Sequence, residues 1–192
     1  MKHCVLVVAS ICTVLLMVSC GGKKTIQSTD VGNIPSWFKN VPQDKDYLYA
    51  ANTQASEDMQ IAIDKATTGA RSEIGRQIEV RLNSLQKKFS EETGTANDAQ
   101  LLQMFSETEK TIVSTALSGS RIKKQEVKKD GTTFRAYILV EYPIGSANTA
   151  LVEQIKKNEQ MYTRYRAAES FKDLEKEVEK YEQFKQQENS AK

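Results

Sequence analysis

Through the middle of the chain, apolar residues recur at steps of three or four: Met59, Ile63, Ala66, Ala70, Ile74, Ile78, Leu82, Leu85 and Phe89. A stripe of that period predicts one helix of about eight turns with a single buried face. Ser56, followed by Glu57 and Asp58, marks its expected start. A hydroxyl there can cap the free N–H groups, and carboxylates favour the positive end of the helix dipole. Ala62, Ala66, Gly69 and Ala70 keep the first half narrow, which lets a sheet or another helix come close. Gly94, within the polar stretch 91–97, breaks the period, and Asp98 can cap a second helix with Leu101, Phe105, Ile112 and Ala116 near one face. The β-branched run 111–115 is compatible with extended chain, but the apolar spacing around it favours helix.

A period of two marks the strands. Tyr47, Tyr49 and Ala51 alternate with Leu48 and Ala50, which predicts a strand over 46–52, and Arg121–Val127 begins another after Gly119. Asp130-Gly131 is a tight-turn pair, since both residues accept the positive φ angles of a two-residue hairpin. Phe134–Tyr142 follows and becomes wholly apolar at Tyr137-Ile138-Leu139-Val140, so this is the strand expected to be most buried; Pro143 ends it. The last fifty residues again read as one long helical pattern, with Leu151, Ile155, Tyr162 and Tyr165 and then Phe171, Leu174, Val178 and Tyr181. Spacings of three, four and three in the last group suit a coiled coil but cover less than two heptads. Phe171, Leu174, Val178 and Tyr181 are therefore candidates for self-association, and the alternatives are a helix folded back on its own domain or a frayed polar end.

The N-terminus changes the picture from fold to location. Lys2 and His3 precede a largely apolar run of 14 residues, Val5–Val18, which fits a secretory signal and falls short of the roughly 20 needed to span a bilayer. The ending Met17-Val18-Ser19-Cys20 is similar to a bacterial lipobox. Cleavage before Cys20 would leave a cysteine carrying thioether- and amide-linked acyl chains, and several chains hold a protein on a membrane where one is marginal. Gly21, rather than Asp, after that cysteine favours sorting to the outer membrane. Residues 1–19 are thus expected to be the signal peptide and 20–33 a lipidated cysteine with a polar tether of roughly 20 Å reach. Residues 34–143 form the domain and 144–192 a C-terminal helical extension.

Processing also removes chemistry. His3, Cys4 and Cys12 all lie in the signal, so the mature chain keeps Cys20 alone and no histidine. Disulfides, Cys/His zinc sites and Ser-His or Cys-His nucleophiles are excluded, and no cofactor or metal is expected. Lys and Arg number 27 against 25 Asp and Glu, and loss of Lys2 leaves +1, a balance that argues against nucleic acid. Catalysis would have to rest on carboxylates, Glu73 or Glu79 with Glu141, about 5 to 10 Å apart for a glycan hydrolase. Pro35, Pro42 and the pair Trp37-Phe38 mark where the tether meets the domain. Trp37, Tyr47 and Tyr49 are candidates for a ligand or partner surface, with a packed lid as the plainer role for Trp37.

Taken as an ordered set, several of these residues resemble the LPP-twenty family of bacterial lipoproteins. They are Pro35-x-Trp37, Tyr47-Leu48-Tyr49-Ala50, the helix with Ala62, Ala66, Ala70 and Arg71, then Gly119, Asp130-Gly131 and Tyr137–Val140. The lipoprotein FlgP and the N-terminal domain of FlgT resemble the same pattern. The family's first strand commonly runs into a glycine, where this chain has Ala51-Asn52-Thr53. The resemblance covers about residues 34–143 and implies an α+β fold: a small three-stranded antiparallel sheet packed by a long amphipathic helix, with a second helix. It transfers no catalytic residues. It implies a protein that binds other envelope proteins or itself; a small-ligand carrier, with Trp37, Tyr47 and Tyr49 lining a groove, is the alternative that the aromatic residues offer.

Overall fold

A computed structural model describes residues 34–190; Cys20, the signal and the tether lie outside them. Helix α1 (Ser36–Lys39) leads into strand β1 (Tyr47–Ser56), the long helix α2 (Met59–Thr93) and helix α3 (Ala99–Gly119). Strands β2 (Arg121–Asp130) and β3 (Thr133–Pro143) form a hairpin, and helices α4 (Ile144–Lys157), α5 (Glu159–Tyr165) and α6 (Glu169–Ser190) complete the chain. The sheet is antiparallel in the order β1-β3-β2, which confirms the α+β architecture. β3 is central because it alone is apolar on both faces; Ala136 to Val140 are all buried.

The two long helices begin where carboxylates can cap them. Asp58, and not Ser56, is the cap of α2: its carboxylate accepts from the Ile61 N–H at 2.9 Å. Ser56 instead ends β1, which runs through Ala51-Asn52-Thr53 without a turn. That places Met59 off the buried stripe, about half exposed, and Ala62 in its stead. Gly94 closes α2 in the left-handed region at φ 69°, its N–H bonded to the Ser90 carbonyl. Asp98 caps α3 through the Leu101 N–H, and the β-branched run 111–115 is helical. Gly131, at φ 62°, makes the hairpin turn.

The inward residues of the sheet face α2, whose first half lies across β1 and β3. Asn52 comes so close to Gly69 that a Cβ there would stand 2.7 Å from its side chain. The second half of α2 continues past the sheet into a helical layer. There Phe89 meets Tyr165 and Phe171 at ring distances of 5.5 and 5.6 Å, and Phe105 meets Tyr165 at 6.3 Å.

Beyond Pro143 the chain is three helices rather than one. Asn158 ends α4 and caps α5, its side chain accepting from the Met161 N–H at 3.0 Å, a local bond that competes with helix continuation. A second break at 166–168 turns the chain back, and Glu92 at the end of α2 accepts from the Ser170 N–H in the first turn of α6. These helices share one core with the sheet domain, from Ala50 through Ile138 to Phe171 and Leu174.

Candidate functional site

Phe171 and Leu174 are buried in that core, with Phe171 fully enclosed. They are therefore not available to a second copy in this fold. Val178 and Tyr181 lie further along α6 and are half-buried. The Tyr181 ring packs against Gly145, where any Cβ would collide with it, and its hydroxyl is 2.8 Å from Ser146 Oγ. Around it lies a groove of about 620 Å³ between the start of β1, the start of α4 and α6, lined by Tyr47, Arg81, Asn148, Glu177, Tyr181 and Phe184 among others. Two residues from separate candidate sets, Tyr47 and Tyr181, thus line one groove.

Three polar side chains of this groove bind one another. Arg81 Nε donates to Asn148 Oδ1 at 3.2 Å, Asn148 Nδ2 donates to Glu177 Oε2 at 3.2 Å, and Arg81 pairs with the same carboxylate at 3.7 Å. Asn148 is buried, the one polar position on an otherwise apolar α4 face of Ala147, Leu151, Val152 and Ile155. That break in the apolar pattern was the available sequence signal for it. Neighbouring Tyr142 is held un-ionised by burial, reinforced by Tyr181.

On the opposite face of the sheet, Tyr47 and Tyr49 stack at 6.3 Å. Lys123 Nζ lies 2.8 Å from both the Tyr49 hydroxyl and Glu141 Oε2. Hydrogen bonding to Glu141, then to Tyr49, keeps this lysine protonated well beyond the usual range. Trp37 packs edge-on against Phe38 at 6.1 Å, and Phe38 edge-on against Tyr137 at 5.1 Å. α1 thus lies on this outer face. Trp37 is half-buried and is not among the residues that line the Tyr181 groove.

The carboxylates do not assemble as a hydrolytic pair. Glu73 is bound by Arg76 at 2.6 and 2.9 Å, which holds it below the usual carboxylate range. It lines a groove between α2 and the edge of β1, whereas Glu141 points to the outer face with Lys123. Glu79 instead neighbours Glu109, a buried α3 residue that the stripe Leu101, Phe105, Ile112 skips over. Burial, then the Glu79 charge, pushes Glu109 up, and Asn83 Nδ2 donates to it at 2.8 Å. Among the described residues there is no cluster of side chains that would hold a metal ion, and no helix is long and apolar enough to cross a membrane.

Residues 35–142 match the family model described as LPP20 lipoprotein, and the chain belongs to that family of membrane-anchored envelope lipoproteins. The match stops at the end of β3 and leaves α4–α6 outside it. No curated protein and no solved structure matches the chain.

Proposed function

We propose that the protein is held on the outer membrane by acylated Cys20, faces the periplasm, and serves a structural or assembly role by binding other envelope proteins or copies of itself. The observation that carries this reading is the position of the aromatic residues. Phe89, Phe105, Tyr165 and Phe171 fill the core, and the Trp37-Phe38-Tyr137 chain covers the outer sheet face. A carrier would keep such rings around an apolar cavity; here the groove beside Tyr181 is open, and Arg81, Asn148 and Glu177 within it are bonded to one another. Gly21 supports the outer-membrane location.

Amine-reactive cross-linking in intact cells, followed by membrane fractionation, tests it. The expected result is discrete adducts of higher mass in the outer-membrane fraction, with Cys20→Ser releasing the protein from the membrane. Trp37, the only tryptophan, reports on the alternative. A chain that stays at its own mass in cells, and whose Trp37 fluorescence is quenched stoichiometrically by an apolar probe, would replace this reading with a carrier.

A further inference from the structure

The sheet has two open edges, and their chemistry is opposite. β2 carries Arg121, Lys123, Lys124, Lys128 and Lys129 in ten residues, and its register is interrupted between Ile122 and Lys124. Charge, lysine above all, and an irregular register are the standard protections of an edge strand against pairing. β1 has neither: Tyr-Leu-Tyr-Ala-Ala-Asn-Thr-Gln-Ala-Ser is uncharged over its whole length and pairs with β3 in unbroken register.

Which backbone groups β1 leaves open follows from the alternation of an antiparallel ladder. The Asp46 carbonyl accepts from Ile144, so even-numbered residues bond inward to β3, and odd-numbered ones point outward. Gln77 Nε2 covers the outward carbonyl of Tyr49 at 3.2 Å. Ala51, Thr53 and Ala55 follow, and among the described residues no backbone or side-chain group pairs with their outward N–H and C=O groups.

We infer that this edge pairs with the same edge of a second copy, antiparallel about a two-fold axis at Thr53. Rested on the assembly reading above, the inference supplies its surface. With Thr53 opposite its counterpart and Ala51 opposite Ala55, all three open residues of each copy are matched, while Gln77 keeps its bond to Tyr49. No like charges meet along β1, whereas β2 carries five cations against Glu126 and Asp130. The symmetry also suits a lipid-anchored chain. A two-fold axis between antiparallel neighbours stands perpendicular to the sheet, so both copies turn the same face the same way. That face carries α1, through Phe38 on Tyr137, and so the start of the described chain, to which the anchored N-terminus connects. Two chains joined in this way lead toward one membrane, and attachment to that membrane raises their effective concentration.

The test is disulfide trapping in the full, lipidated chain. Acylated Cys20 has no free thiol, so Thr53→Cys introduces a lone one, and paired residues about 5.5 Å apart at Cα lie within disulfide reach. Mild oxidation in membranes is expected to convert most of Thr53→Cys to a covalent dimer and leave Lys124→Cys, on the other edge, monomeric. In the otherwise unaltered chain, Thr53→Lys is expected to abolish the dimer seen by amine cross-linking while its circular dichroism and melting remain those of the parent. Equal trapping at positions 53 and 124, or a dimer that survives Thr53→Lys, overturns the β1 edge but leaves the assembly reading standing. Loss of every adduct, with this copy or any other protein, removes both.

Discussion

The two halves of α2 bury one continuous face by opposite means. Up to Ile74 the buried residues are Ala62, Ala66 and Ala70, and the helix lies directly on β1 and β3. From Ile78 on they are Ile78, Leu82, Phe89 and Ser90, and Phe89 meets Tyr165 and Phe171 of the C-terminal helices. Small side chains bring backbones together, and each then has little volume to lose. Large ones fill a wider gap, and each leaves a cavity if removed. One helix therefore holds a sheet by closeness at one end and a helical layer by bulk at the other.

Substitutions of opposite sense should break the two halves separately. Phe171→Ala in the bulky half is expected to cost about 3–5 kcal/mol, read as a lower midpoint in urea, because the rings of Phe89 and Tyr162 line the space it vacates. A smaller loss, about 1–3 kcal/mol or somewhat more, is expected for Ala66→Leu in the narrow half, where extra volume must push the helix from the sheet. If Ala66→Leu left the midpoint unchanged, the close approach would not be what holds that end.

The smallest effect, of opposite sign, belongs to Glu109, which faces the bulky half of α2 through Asn83 and Glu79. Burial and Glu79 raise its pKa in the folded protein above its unfolded value. Its contribution is then fully present below the unfolded pKa and is lost as pH rises through the folded one. Glu109→Gln keeps an acceptor for Asn83 and removes the buried charge. A small rise in melting temperature is expected at pH 7, narrowing to nothing as the pH is lowered through the ordinary carboxylate range. A gap independent of pH would place the effect in side-chain fit instead.

Much of this was legible along the chain. The stripe of α2 from Ala66 on, its break at Gly94, the Asp98 cap and the apolar β3 each depend on residues within a few positions of one another and stand where the spacing put them, whereas the hairpin turns at Gly131-Thr132 with Asp130 still in β2, paired with Thr133. Ser56 was misjudged because two capping residues, Ser56 and Asp58, stand close together, and only the length of β1 chooses between them. Asn158 broke the long C-terminal helix by a local bond, whereas the pattern of Leu151, Ile155, Tyr162 and Tyr165 runs across it.

The sequence by itself determined most of the helices and strands, the class of fold and the family, since these rest on local spacing. Tertiary structure alone decided that Phe171 and Leu174 face inward, that Asn148 joins Arg81 to Glu177, and that β1 rather than β2 leaves an unguarded edge. An apolar stripe states that a face must leave water but not what will cover it, and the cover came from residues some eighty positions away.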